Sequence, residues 1–117
     1  MTREFFVELY EAFNRRDIEK LLAAMTPEVK WANGMEGGFE YGRDAVREYW
    51  TRQFREVDSR VEPTSIEVDG DRAAIIAHLT IRDLEGNLLM DSYVRHVFTI
   101  ENGLISKFEI EEIEKGE

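Results

Sequence analysis

The period of the apolar residues changes once along this chain, and that change bounds what it can fold into. Phe5, Phe6, Leu9, Tyr10 and Phe13 recur at helical spacing between residues 3 and 14, one wide apolar stripe. From residue 57 onward alternation takes over, and 57–69, 72–84, 88–101 and 104–114 read as four long strands. Their connections, Val68-Asp69-Gly70-Asp71, Leu84-Glu85-Gly86-Asn87 and Glu101-Asn102-Gly103, supply residues that tolerate left-handed turn geometry. Connections this short make antiparallel neighbours, so the second half is a meander. Such long strands twist and curl, and apolar helix stripes fill the concave side.

Between the two regimes, Asp17 caps a second short helix that buries Ile18, Leu21, Leu22 and Met25. Thr26-Pro27-Glu28 ends that helix, because proline disfavours helical geometry at the residue before it. Val29, Trp31 and Asn33 then alternate with Lys30 and Ala32 as a short strand. Glycines 34, 37, 38 and 42 make a flexible link, read as a mobile lip over a pocket mouth. Asp44 opens a third helix with Ala45, Val46, Tyr49, Trp50, Gln53 and Phe54 on one face. The predicted architecture is α+β, a cone-like fold with three N-terminal helices packed in the hollow of a strongly curved, mostly antiparallel sheet. One domain over residues 1–117 is expected, since a chain this size buries roughly two thirds of its unfolded surface.

Alternation also assigns the strand faces. Ala73, Ile75, Ala77, Leu79 and Ile81 face the helices, as do Leu88, Met90, Ser92, Val94, His96, Phe98 and Ile100. The opposite face mixes His78, Thr80, Tyr93 and Val97 with Arg82, Asp91 and Arg95. A half-apolar outer face of this kind predicts a homodimer through it.

Charge narrows the partners. The 25 acidic side chains outnumber the 15 basic ones, for a net charge of -10, and no basic stripe offsets them. A phosphate backbone is repelled on average, so nucleic acid is not an expected partner. No apolar run approaches the ~20 residues of a membrane span, and the start lacks the basic and apolar parts of a signal peptide. With no cysteine for disulfides, a cytoplasmic protein without a membrane partner is expected. The glycine link lacks the lysine-serine or lysine-threonine ending of a phosphate loop, and the two histidines fall on opposite faces. Neither a cofactor nor a metal is expected.

The order helix, helix, short strand, helix, four long strands resembles the nuclear transport factor 2-like superfamily, which holds SnoaL-like domains and ketosteroid isomerase. Locally the resemblance rests on Tyr10-x-Ala12-Phe13-Asn14-x-x-Asp17, Gly42-Arg43-Asp44-Ala45-Val46 and Asn102-Gly103-Leu104-Ile105. It implies a pocket for a small apolar molecule, and its members include isomerases, cyclases, hydrolases, dehydratases and non-catalytic binding or association modules. In the isomerase, an aspartate base works with an oxyanion hole made of a tyrosine and a protonated acid. The resemblance matches the tyrosine to Tyr10 and the base to Asn33, while the second donor falls on Arg95 or His96. An amide takes up no proton at neutral pH, so that mechanism does not transfer.

The residues themselves leave two readings for each candidate. Tyr10 is either core or pocket lining, and Asn33 either caps the glycine link or orients a ligand. His96 is either a hydrogen-bonded core residue or the acid–base group, being inward with a near-neutral ordinary pKa. The catalytic candidates are therefore His96, Tyr10 and Asn33. Trp31, Met35, Phe39, Trp50, Phe54, Met90 and Phe98 are the candidate ligand-binding walls of an apolar pocket. The expected function is a small apolar-ligand pocket, acting as an isomerase, cyclase, dehydratase or hydrolase on a polyketide-like or steroid-like compound. The alternative is a non-catalytic ligand-binding or association module.

Overall fold

The computed structural model describes residues 2–113. Helix α1 (Arg3–Asn14) starts where the Thr2 hydroxyl accepts from the Phe5 amide at 3.3 Å. Helix α2 (Ile18–Ala23) is capped by Asp17, whose carboxylate accepts from the Lys20 amide at 3.2 Å. Strands β1 (Met25–Ala32) and β2 (Phe39–Tyr41) follow, then helix α3 (Arg43–Glu56). Four strands complete the order: β3 (Val57–Asp69), β4 (Arg72–Asp83), β5 (Leu88–Glu101) and β6 (Leu104–Glu112). Among the described residues no helix is long and apolar enough to cross a membrane.

The expected cone needs correction on two counts. Only α1 and α2 are strictly N-terminal, since α3 comes after the β1–β2 hairpin. The sheet is open and mixed, in the order β2-β1-β6-β5-β4-β3, with β1 parallel to β6, and it is not strongly curved. The long strands accommodate their length through local register irregularities, at Pro63/Ser65, Ile81/Arg82 and Thr99/Ile100, each a site where a strand can bend. The least dimension of the molecule is 25 Å, as a sheet covered by one layer of helices requires.

Pro27 acts differently from its expected role. Helix α2 already ends at Ala23, and Pro27 lies inside β1. The register against β6 is irregular between Met25 and Lys30, where a residue without an amide hydrogen is tolerated. Asn33 falls just past the strand. The glycine link contains β2, paired antiparallel to β1 through Lys30–Tyr41, Trp31–Glu40 and Ala32–Phe39.

Helix α1 is tied to edge strand β3 by one side chain. The Asn14 amide donates to the Val61 carbonyl at 2.8 Å, and its oxygen accepts from the Val61 amide at 3.0 Å. The helices then bury Phe6, Leu9, Tyr10, Val46, Tyr49 and Trp50 against Ala73, Ile75, Ala77, Phe98, Ile100 and Phe108 of the sheet. Alternation thus assigns the inner face of β4 correctly. On β5 the inner-face assignment fails at one end: the extra residue Leu89 sets Leu88 opposite outward Arg82, and Met90, though opposite Ile81, is 46% exposed. The helices are 12 and 14 residues long, roughly 18–21 Å. A strand of 14 residues runs roughly twice that, so its start projects beyond the helical layer.

Candidate functional site

A cavity of about 110 Å³ lies between the helices and the inner face of the sheet. Aromatic side chains form most of its wall. Trp31 of β1 stacks on Phe108 of β6 with ring centroids 4.1 Å apart, and meets Trp50 of α3 edge-on at 5.1 Å. Phe98 of β5 stands between Tyr10 and Phe108. Met35, 41% exposed, lines the cavity from the loop beyond β1.

Into this apolar wall the fold brings two titratable groups. The helical stripe carries Tyr10 inward from α1, and the alternation of β5 carries His96 inward opposite Ile75. The Tyr10 hydroxyl and His96 Nδ1 lie 2.6 Å apart, both residues buried and both lining the cavity. Burial pushes the Tyr10 hydroxyl well above its ordinary pKa and pulls His96 down from 6.5 to about 4. Both are neutral at pH 7. Phe108 packs against the imidazole edge with centroids 4.8 Å apart, which keeps charge out of its surroundings. Among the described residues His96 makes its hydrogen bond through Nδ1 alone.

The alternative at the neighbouring position is resolved by orientation. Arg95 points outward, exposed, with its guanidinium 3.8 Å from Glu111. Arg95 and His96 lie in regular register opposite Ile76 and Ile75; the extra residue of β5 is Leu89, well before them, and the irregularity at Thr99/Ile100 falls after them.

Asn33 is buried but does not line the cavity. Its oxygen accepts from the amides of Met35 at 2.9 Å and Glu36 at 2.8 Å, while its nitrogen donates to Glu36 at 3.2 Å and Glu40 at 2.9 Å. Its amide is fully engaged in holding the loop, the capping reading of the two. Of the expected walls, Trp31, Met35, Trp50 and Phe98 line the cavity. Phe39, Phe54 and Met90 do not. Phe39 lies under the Lys30 ammonium at 4.3 Å, Phe54 under the Arg16 guanidinium at 4.5 Å, and Met90 is on the projecting end of β5.

Three polar lining residues were missed from the sequence. Tyr49 accepts from the Gly34 amide at 3.1 Å, and burial raises its pKa to about 12. The Gln53 amide nitrogen donates to the Ser59 hydroxyl at 3.1 Å. The available signal was a glutamine on the apolar stripe of α3. No carboxylate lines the cavity among the described residues, and no group of three or more His, Asp or Glu side chains converges as a cation site needs.

A helix-covered mixed sheet enclosing an aromatic cavity with a buried tyrosine–histidine pair defines a small-molecule pocket protein by class. The chain belongs to the SnoaL-like domain family, whose model matches residues 6–108. Curated proteins give no significant match. Among solved structures the chain is similar to TerC co-crystallised with polyporic acid, at 25% identity over 94% of this chain and 89% of that one, with a TM-score of 0.81. It is also similar to a nuclear transport factor 2-like protein of unknown function from Burkholderia pseudomallei, at 28% identity over 97% and 92%, with a TM-score of 0.84. A third likeness is to a putative polyketide cyclase from Sinorhizobium meliloti, at 25% identity over 90% and 92%, with a TM-score of 0.76.

Proposed function

We propose that this chain binds a compact cyclic ketone of polyketide-like character, and that Tyr10 and His96 relay a proton to and from it. The observation that carries the reading is the 2.6 Å contact between the Tyr10 hydroxyl and His96 Nδ1 in the wall of an apolar cavity. The cavity volume, below the roughly 150 Å³ of an apolar cavity that accepts benzene, favours about one ring over a steroid skeleton. The likeness to a putative polyketide cyclase favours the polyketide-like class.

A histidine with a pKa of about 4 is a weak base when it works alone, and an imidazolium in this wall is costly. The pair avoids the charge. With Nδ1–H donating to the tyrosine oxygen, Nε2 offers a lone pair and the tyrosine O–H is a free donor. Nε2 takes a proton from the carbon beside the ligand carbonyl, Nδ1 passes its proton to the tyrosine oxygen, and the tyrosine proton goes to the carbonyl oxygen. The ketone becomes its enol, the histidine exchanges one tautomer for the other, and no net charge forms. Running the relay backward onto a different carbon completes an isomerisation. Asn33 supports the site indirectly, by fixing the loop that carries Met35.

The test is exchange of the acetophenone methyl protons in deuterated water, followed by proton NMR. Wild type accelerates the exchange, and Tyr10→Phe and His96→Leu each lower the acceleration by roughly 10²–10⁴-fold. Acceleration that survives both substitutions overturns the relay. The second reading, a binding module without chemistry, is favoured by the lack of a carboxylate among the described lining residues. Saturable acetophenone binding without exchange selects it.

The same proposal takes residues 1–117 as one cytoplasmic domain that pairs with a second copy through the outer sheet face. Half-exposed Tyr93, stacked on His78 with centroids 4.9 Å apart, supports that face as an interface. A sedimentation mass of one 13.7 kDa chain refutes the pairing.

A further inference from the structure

Gln53 occupies a position in α3 where the helical stripe is otherwise apolar, between Trp50 and Phe54. It is 8% exposed and lines the cavity. One end of its amide is anchored, the nitrogen donating to the Ser59 hydroxyl at 3.1 Å, with Ser59 itself 1% exposed. The other end is not: among the described residues no donor reaches the Gln53 oxygen, which is buried. A buried acceptor left unmatched is costly and uncommon in native proteins, and an apolar side chain would fill the same place in the stripe without that cost.

Strand register sets this group apart from the tyrosine–histidine pair. Ser59 lies opposite Ile81, and Ile81 opposite Met90, six residues along β5 from His96. The cavity therefore has polar groups at two levels of the sheet, with the aliphatic side chains of Leu79 and Val61 between them. The Tyr10–His96 end offers one donor and one acceptor, and the Gln53 end offers a lone acceptor.

We propose that Gln53 is a specificity-determining residue whose oxygen accepts a hydrogen bond from a hydroxyl of the ligand, remote from the carbonyl that meets Tyr10 and His96. The proposal deepens the reading of this cavity as a ketone site and rests on it. The ligand class is a hydroxylated aromatic or cyclic ketone, apolar along its length and polar at both ends. Ser59 anchors the nitrogen end of the amide, so that a small side-chain turn about that contact brings the buried oxygen to the ligand.

Titration calorimetry with two probe sets of different length tests it. One set is 4-hydroxyacetophenone, 4-methoxyacetophenone and acetophenone; the other is 6-acetyl-2-naphthol, its methyl ether and 2-acetylnaphthalene. In wild type at least one hydroxy ketone binds roughly 5- to 100-fold more tightly than its parent ketone. In Gln53→Leu the two bind within about twofold of each other, while Gln53→Glu, which keeps an acceptor, keeps the preference. A Gln53→Leu chain that does not fold leaves the decision to wild type and Gln53→Glu, because the ratio is read within each protein. Parent ketones that bind with no hydroxyl preference in either set overturn the role of Gln53 alone, as a bound water on its oxygen would produce. A preference for the methyl ethers overturns it too, since the amide N–H then faces the ligand. Failure of all six ketones to bind overturns both this inference and the ketone reading beneath it.

Discussion

The Tyr10 hydroxyl and His96 Nδ1, 2.6 Å apart, join the first helix to the middle of the meander through a single hydrogen bond in the cavity wall. Each group is the other's partner among the described residues, so each depends on the other for its buried polarity. Tyr10→Phe leaves an imidazole nitrogen unmatched and is expected to cost about 1–3 kcal/mol of unfolding free energy. In a urea-denaturation cycle with His96→Leu, the double variant loses less than the sum of the single losses by about 1 kcal/mol. Strict additivity would show that the contact contributes nothing.

Burial holds His96 at about 4 in the folded chain against an ordinary 6.5. The unfolded chain binds the proton first. The stability this neutral imidazole contributes is present in full above pH 6.5 and is lost as pH falls toward 4, by an amount on the order of 3 kcal/mol. Tyr10, raised by burial, contributes stability that is present below pH 10 and lost as pH rises beyond it. Denaturation of wild type and His96→Leu between pH 7 and pH 4 should show their difference shrinking through that window. Parallel profiles contradict the assignment.

Asn33 sits between the carboxylates of Glu36 and Glu40. Asn33→Asp keeps the oxygen that accepts from the loop amides but places a third negative charge beside the other two. It is expected to lower the melting temperature at neutral pH by more than Asn33→Ala does, and to recover part of the loss in 1 M salt. A fully stable Asn33→Asp chain would mean that the loop is not held through this amide.

Leu79 lines the cavity from β4, and Leu79→Phe adds bulk to a volume of about 110 Å³. Acetophenone binding should weaken at least tenfold by calorimetry, with unfolding free energy changed by about 1–3 kcal/mol or less. Unaltered binding would place the ligand elsewhere.

What could be read from the sequence follows from what repeats locally. The α1 stripe, the Asp17 cap and the ends of β3, β4 and β5 are each set by residues within a few positions of one another, and they stand within a residue of expectation. The inward turn of His96 is likewise a matter of counting by twos. The parallel β1–β6 pair has no such signal, because it joins opposite ends of the chain and no turn residue announces it. Pro27 misled for a related reason: a helix stop and a tolerated strand irregularity look alike when the neighbouring strand is unknown. Aromatic spacing could not separate Trp31 and Trp50, which line the cavity, from Phe39 and Phe54, which pack under cations. Alternation says which way Met90 points, but not how far the helices reach to cover it.

The stack of Trp31 on Phe108 has a consequence for the order in which this molecule comes together. Strands β3, β4 and β5 zip up through neighbouring hairpins, whose loops close at small entropic cost. The cavity cannot form that way. Phe108 and Ile110 reach it on β6, the last strand described, and Phe108 meets Trp31 of the first. During synthesis on a ribosome, every residue of α1, α3 and β3 to β5 is made before the strand that completes the cavity wall. Binding competence therefore waits on β6, and a nascent chain halted before residue 104 lacks Phe108 and Ile110 and with them a complete pocket wall.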